Sequence, residues 1–447
     1  MGRAEGNLSR KAIAEWYPDS VAKLLLATPH KMNAKNLLRH LDYMTEDKIH
    51  TVEDELALKL KSLGLVPNKV LWDTTNFFTQ IEKGEHIPRK AHSKEKRNDK
   101  NLIGVGLAVS SENIPFFHET YEANKHDSQI FSEVLDAIVQ RLQKLDVDTK
   151  QAVMILDKGN NSDENIIDVL RRTHIIGTLK ADQSKEYLEV PMGEYSPIGD
   201  DIIAYRTNGT HYGEKFTIVV TFNTCTEKKQ RLTYEKNKQD ILDKLNQLKN
   251  KVELRKRRGR KWSLNRAIRA IVDIIPLHMR AVFEYDVKKK VGRGGGLLVE
   301  YSVNSEKERL RRLSFGKIIH FTDLHDWSNQ QIAESYNSKY QIEDDFKWLK
   351  DKLLVPVKPV HVRKDEHIRA HVFICLMGLL FYRYIQFKLR KAGLNHTTKE
   401  LSEILENIRL ALVVTGNNKQ GKFLIERMDP KEAAVFSTLR MGNYIRV

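Results

Sequence analysis

From residue 69 onward, three apolar runs of strand length come before the next helical pattern, and that order narrows the possible folds more than any other feature of the chain. Val70–Phe78, Leu102–Val109 and Ile114–Tyr121 read as strands, the last two joined by the turn Ser110-Ser111-Glu112-Asn113. Residues 127–145 then place apolar side chains at Ile130, Phe131, Val134, Leu135, Ile138, Val139 and Leu142, which is helical spacing. Ala152–Leu156 is a fourth, fully apolar run that ends at Asp157, and Asn161 with Glu164 predicts the start of a helix through Arg171. Parallel neighbours need a long crossover between them, so three strands in a row cannot open an all-parallel sheet. The expected class is α/β, a mixed α+β fold whose mixed sheet is flanked by helices.

The remainder of the chain divides around that block. Residues 8–66 read as helical, with Thr51 and Asp54 resembling a capping box before Glu53–Leu63. Residues 181–312 hold short β-like pieces around a highly charged stretch, and Gly292 with Gly294–Gly296 reads as a hairpin turn. Lys317–Thr322 is again a strand. A long helix is expected from Ser328, capped with Gln331, to about Leu353, and a last helical block over 364–391. The expected organisation is a helical N-terminal region (1–66), a core (67–180), a β-rich insertion with a basic helical arm (181–312), the second part of the core (313–395) and a tail (396–447).

Charge points to an anionic partner. Lys and Arg number 75 against 59 Asp and Glu, a net charge of +16, and more than half of that excess falls in residues 228–261. There 14 basic residues face 4 acids, while Leu242, Leu245, Leu248 and Val252 supply an apolar stripe. Two cysteines, Cys225 and Cys375, exclude a disulfide scaffold and a cysteine zinc site and fit a reducing cytoplasm. The polar start, Met1 to Lys11, lacks a secretory core, and the longest apolar run, Val372–Tyr382, is too short to span a bilayer, so no membrane role is expected.

Three carboxylates stand out by placement. Asp73 sits in the middle of an apolar strand, where a carboxylate is costly unless it is paired or ligates a metal. Asp157 ends another apolar strand just before a glycine turn, a place where open sheets build sites, although a strand-end aspartate also serves simply as a helix cap. Glu343 lies on the long helix with Tyr336, Lys339 and Lys350 on one face, while Asp344 and Asp345 point about 100° and 200° away from it. The same spacing also suits ordinary charge pairs on a solvated helix face. His367 and His371 stand at i and i+4 without a third ligand, which suits packing or hydrogen bonding better than metal binding.

Tyr336-x2-Lys339-x3-Glu343-x6-Lys350 resembles the Y-R-E-K signature of bacterial and archaeal DDE insertion-sequence transposases, with Lys339 in place of the usual arginine. Leu71-Trp72-Asp73-Thr74-Thr75 is similar to the strand bearing that family's first aspartate. His92-Ser93-Lys94-Glu95-Lys96-Arg97 resembles its HSK–R stretch, Asn124 and Asp127 its G-N-x-x-D motif with Ala123 for the glycine, and Leu156-Asp157-Lys158-Gly159-Asn160 its D-x-G stretch. Arg369-Ala370-His371 resembles the end of the family's pattern.

The resemblance implies an RNase H-like core and a DNA transposase acting by cut-and-paste. Asp73, Asp157 and Glu343 would hold two Mg²⁺ (or Mn²⁺) ions, which can activate an attacking oxygen and stabilise a leaving one when about 3.5–4 Å apart. Water would nick the element's end, and the freed 3′-OH would then attack the opposite strand or target DNA. Tyr336, Lys339, Lys350, His92, Lys94 and Arg97 would contact DNA, as would Arg255, Lys256, Arg257 and Arg258 of the basic arm. Trp262 could stack on a flipped base or sit in a core. The implied partners are terminal inverted repeats and target DNA, bound by a homodimer in a prokaryotic, nucleoid-associated setting. Two other readings stay open: a transposase-derived DNA-binding protein whose chemistry has decayed, and another RNase H-like nuclease.

The basic arm yields a test. Changing Arg255, Lys256, Arg257 and Arg258 together to Ala should weaken binding of matched and scrambled DNA alike, because phosphate contacts position without specifying. The slope of log affinity against log salt should fall by about 0.9 for each phosphate no longer neutralised, measured by titration at several salt concentrations; an unchanged slope would place the arm off the DNA.

Overall fold

The computed structural model describes residues 8–20, 22–23, 32–180, 184–253, 262–290, 296–351, 355–414 and 421–444. The chain divides into two compact units, Met1–Ile176 with Ser335–Val447, and Gly177–Glu334.

The first unit opens with three helices, α1 (Arg10–Trp16), α2 (Ala34–His40) and α3 (Glu46–Ser62). The expected capping box at Thr51 and Asp54 does not form. The helix starts after Thr45, which stands at the N-cap position without a side-chain capping bond, and the first turn of α3 carries Glu46 and Asp47 at the positive end of the helix dipole. Thr51 lies inside the helix and donates its hydroxyl to the Asp47 carbonyl at 2.8 Å. The sheet follows: β1 (Lys69–Thr79), β2 (Asn101–Ser110) and β3 (Pro115–Glu122), then α4 (Asp127–Lys144), β4 (Val153–Leu156), α5 (Asp163–Arg172) and β5 (His174–Thr178). The spatial order is β3-β2-β1-β4-β5. β1–β2 and β2–β3 are antiparallel, whereas β4 runs parallel to β1 and β5 parallel to β4. This is the expected mixed sheet. Ser162, not Asn161, caps α5, its side chain accepting from the Asn165 N–H. β5 has no turn signal before it, because a single residue, Thr173, separates it from α5.

β1 is buried on both faces. On one face Trp72 packs between Phe117 and Phe131, with ring centroids 6.3 and 6.2 Å away. Gly106 on β2 makes that possible, since a Cβ there would stand 2.3 Å from the Trp72 ring. On the other face Phe77, Ile103, Val105 and Leu107 join a core with residues from the end of the chain.

The second unit contains α6 (Lys185–Leu188), β6 (Ser196–Gly199), β7 (Ile202–His211), β8 (Glu214–Asn223), α7 (Thr224–Glu253), α8 (Leu264–Ile274), β9 (Phe283–Lys289), β10 (Leu297–Val303), α9 (Ser305–Leu313) and β11 (Lys317–Thr322). Its main sheet has the order β11-β8-β7-β6 with antiparallel neighbours, and β9 and β10 form an antiparallel hairpin. The expected basic arm begins on α7, whose Tyr234, Ile241, Leu245, Leu248 and Val252 are buried in a core of this unit. The densest part, Arg255 to Arg258, lies outside the described residues.

The chain then forms α10 (Asn329–Asn337), α11 (Tyr340–Lys350), α12 (Asp365–Lys391), α13 (Thr398–Asn407), the hairpin β12 (Leu410–Val414) and β13 (Gly421–Ile425), and α14 (Pro430–Thr438). Ser328 and Gln331 cap α10 reciprocally, at 2.9 and 3.1 Å, as their spacing predicts. The single long helix expected from Ser328 is, however, broken at Ser338–Lys339. The Ser338 hydroxyl donates to the Ser335 carbonyl at 2.6 Å, a local bond that competes with the helical backbone. α12 is long and apolar enough to cross a bilayer by composition, but 67% of its apolar window is buried within the protein. It is the central core helix of the first unit.

One buried charge network holds α3 to the sheet. The Arg141 guanidinium donates to Glu53 Oε2 (2.8 Å), Asp54 Oδ1 (2.8 Å) and the Phe116 carbonyl (2.9 Å). Glu53 also pairs with His118, and Arg141, Glu53 and His118 are all buried. Removing one partner leaves the other charge unpaired in a poorly solvated site. Arg141→Ala should therefore cost about 3–5 kcal/mol of stability, read by denaturant unfolding; a loss below about 1 kcal/mol would show that water reaches Glu53.

Candidate active site

Asp73 and Asp157 are brought together by strand register. β1 and β4 are parallel neighbours with Trp72 opposite Leu156, so the next residue on each strand is an aspartate. Asp73 remains within β1, while Asp157 leaves the sheet into the turn Lys158–Asn160. Asn165 holds that turn by donating to the Asn160 carbonyl at 2.9 Å.

The two carboxylates differ in electrostatics. Burial raises the Asp73 pKa above the ordinary carboxylate value; Lys339, Lys94 and the Thr74 N–H oppose the rise, and the Asp157 charge adds to it. Burial acts in the same direction on Asp157, but Lys339 and the Lys158 N–H outweigh it and leave that group below its ordinary value. Lys339 Nζ lies 3.4 Å from Asp157 Oδ1 with only 8% of its side chain exposed, and the Tyr336 hydroxyl donates to the same oxygen at 3.2 Å. The break between α10 and α11 places Tyr336 and Lys339 for this, one at the end of α10 and the other in the turn.

Lys350 reaches the same strand two residues beyond Asp73, donating to Thr75 Oγ1 at 2.6 Å. Burial lowers its pKa; Lys94 and Lys358 act in the same direction, while Glu95 and Asp73 oppose. Glu343 lies in the first turn of α11 with its side chain exposed, and its N–H bonds the Lys339 carbonyl at 3.3 Å. It therefore follows Lys339 by one turn and precedes Lys350 by two, on their side of the helix. Asp344 and Asp345 face elsewhere, toward Arg383 at 2.9 and 2.6 Å. Burial pushes the Asp345 carboxyl up to about 7, with Arg383 opposing.

The loop between β1 and β2 joins the site through Lys94. Its ammonium donates to the Thr74 carbonyl at 2.7 Å and lies 3.6 Å from Asp127 Oδ2, while the Thr74 hydroxyl donates to Asp127 Oδ1 at 2.7 Å. A Cβ on Gly159 would stand 3.6 Å from that aspartate. The first-aspartate strand, the HSK stretch, the N-x-x-D motif and the D-x-G turn thus meet around Thr74 and Asp127. His92 is exposed and its carbonyl accepts from Asn76. Arg97 pairs with Asp99 and lies over Phe78, 4.9 Å from the ring centre. Lys358 covers the same ring at 4.2 Å and pairs with Glu95. Sequence reasoning missed Lys358 and Thr75 as neighbours of the site. Lys358 sits in an irregular segment with no motif around it.

Other candidates have different surroundings. Trp262 is partly buried against a core of the second unit, with the Arg266 guanidinium 4.4 Å over its ring. His367 bonds Asp42 Oδ1 at 2.7 Å and His371 the Val357 carbonyl at 2.7 Å, the hydrogen-bonding roles their spacing suggested. Among the described residues, the group with three His or carboxylate ligand atoms within 4.8 Å of one another is Glu46, His50 and Glu119, where Arg369 already stands 3.2 Å from Glu46. Asp73, Asp157 and Glu343 are not gathered that closely.

The donor set still suits a hard divalent cation. Two oxygen-ligand side chains sit side by side, each raising the cost of the other's charge, with an exposed carboxylate one helical turn from the ammonium that neutralises them. The mixed sheet with a carboxylate on its central strand and another at the end of the adjacent strand defines an RNase H-like fold. A family model described as the transposase DDE domain matches residues 79–381, about two thirds of the chain, and the protein belongs to that family. The match contains Asp157 and Glu343 and begins six residues after Asp73. No curated protein matches the chain significantly.

Asp73 generates a stability prediction with a definite sign. Its folded pKa lies above the ordinary value, so its neutral form favours the fold and its stabilising share grows as pH falls. Asp73→Asn should raise the Tm in EDTA near pH 7 by about 2–4 °C, on the order of 1 kcal/mol. It should also abolish the rise in Tm that millimolar Mn²⁺ gives the wild type. A lower Tm in EDTA would show that the Asp73 charge is stabilising as it stands.

Proposed function

We propose that this chain is an insertion-sequence transposase of the Y-R-E-K group that cuts DNA at the terminal inverted repeats of its element and joins the ends to target DNA. The observation that carries this reading is the convergence of the signature side chains on the two aspartate strands: Tyr336 and Lys339 on Asp157, and Lys350 beside Asp73. Asp344 and Asp345 are taken by Arg383, which leaves Glu343 as the acid of α11 open to a ligand. Asp73, Asp157 and Glu343 are the residues that would hold Mg²⁺ or Mn²⁺. Divalent ions bound there supply Lewis acidity toward an attacking oxygen and charge neutralisation at the leaving one.

The chain's own groups do the positioning. Lys94, Lys350 and Tyr336 line the approach to Asp73 and Asp157 and suit the non-bridging oxygens of a scissile phosphate. Lys339 shields the aspartates from each other and stands ready to pair with phosphate when they ligate a cation. A lysine there keeps the charge of the family's arginine but makes point contacts, not a bidentate fork. In the first step water attacks the phosphorus and the bond to the 3′-oxygen breaks, leaving a 3′-OH and a 5′-phosphate. In the second that 3′-OH attacks another phosphodiester, one ester bond forming as one breaks, so no energy source is required. Two ends must be joined together, and a homodimer on DNA supplies two such sites.

Glu343→Gln tests the reading. It should lower Mg²⁺-dependent cleavage of DNA carrying the ends of the element by at least roughly 100-fold, about 2.7 kcal/mol in barrier, with end binding changed less than threefold. Light scattering of the end complex should give two protein copies. Wild-type cleavage in the variant, or an active one-to-one complex, would contradict the proposal.

A further inference from the structure

We propose that Arg383 is a positioning residue for the metal site, fixing the rotation of α11 so that Glu343 is presented to Asp73 and Asp157. The inference rests on the active-site reading above. Arg383 lies on α12 with 4% of its surface exposed. Its Nη2 donates to Asp344 Oδ2 at 2.9 Å and its Nε to Asp345 Oδ1 at 2.6 Å. Its Nη1 donates to Gln386 Oε1 at 2.9 Å and Thr398 Oγ1 at 3.3 Å. All three nitrogens are thus used, and two of them grip consecutive acids of one helix. Asp345 is fully buried, and the Asn113 amide, oriented with its nitrogen inward, donates to its second oxygen at 3.0 Å.

Adhesion alone does not explain this arrangement. Ile342, Phe346 and Leu349 already bury the face of α11 against the core, and a buried ion pair adds little net stability over an apolar replacement. An apolar stripe leaves rotation about the helix axis loosely determined, whereas forked, charge-assisted bonds are directional. The regular helix is interrupted at Ser338–Lys339, so α11 begins a new helical segment there. Glu343 precedes Asp344 by one residue, so holding Asp344 and Asp345 fixes the direction in which the Glu343 side chain leaves the helix.

Arg383→Lys keeps the charge and removes the fork. Mn²⁺ binding to the full-length protein, read from the EPR signal of free Mn²⁺, should weaken about 10-fold in this variant. The Mg²⁺ midpoint for end cleavage should rise in parallel. Cleavage at saturating Mg²⁺ should return to within about threefold of wild type, and end binding in EDTA should stay within about twofold. A purely structural role would lower the folded fraction and move neither midpoint. If Arg383→Lys does not fold, Asp344→Asn gives the same comparison, because it leaves the Asp345 pair intact; a shift of about threefold is expected. Unchanged Mn²⁺ affinity in the folded variant, while Glu343→Gln weakens it, overturns the role of Arg383 alone. Unchanged affinity in Glu343→Gln overturns the active-site reading beneath it.

Discussion

Two carboxylates held side by side by parallel-strand register form the constraint around which the first unit is built. Trp72 and Leu156 pair across β1 and β4, and the residue after each is an aspartate. Neither charge is comfortable there. Burial raises the pKa of Asp73, and Asp157 stays ionised because Lys339 and backbone N–H groups offset its loss of solvent. The deeply buried Lys339 ammonium, the Tyr336 hydroxyl and the Lys94 and Lys350 side chains gather around that negative pair because they answer its field. A DDE transposase handles a substrate that is itself a polyanion. A site that combines a cation-seeking carboxylate pair with a ring of lysines can take both the metal and the phosphate.

The helix bearing Glu343 is anchored differently from the sheet. The aspartates are placed by backbone pairing, which leaves their Cα positions little freedom. Glu343 depends on how α11 is turned, and the apolar residues Ile342, Phe346 and Leu349 specify which face is buried but not its fine rotation. The ion pairs of Asp344 and Asp345 with Arg383 supply that second specification. The acids that look like alternative metal ligands in the sequence are thus engaged by Arg383, away from the Glu343 side of the helix.

Much of this arrangement is legible in the sequence alone. The strands before Asp157 and around Asp73 are apolar runs, and burial on both faces is why β1 shows no alternation. Their mixed order follows from three strands in a row. The spacing of Tyr336, Lys339, Glu343 and Lys350 places them on one side, and three of the four reach the aspartate strands. Other features depend on interactions that no local pattern encodes. The break at Ser338–Lys339, where the Ser338 hydroxyl bonds the Ser335 carbonyl, divides four residues that read as one helix face between α10, a turn and α11. The helix start at Thr45 is hidden by the better-looking box at Thr51, whose hydroxyl bonds within the helix while Asp54 turns to Arg141. Lys358 and Arg383 join the site or its support from distant stretches of chain, and Arg383 sits in a helix that otherwise reads as plain apolar core.

The most direct measurement of the Asp73–Asp157–Glu343 centre is a crystal structure with Mn²⁺ and anomalous diffraction data. An anomalous peak should lie between Asp73 and Asp157, with the Glu343 carboxylate at the ~2.0–2.3 Å of a metal–oxygen bond and Lys339 withdrawn from Asp157. A peak coordinated without Glu343, or at Glu46, His50 and Glu119 with none at the aspartate pair, would contradict it.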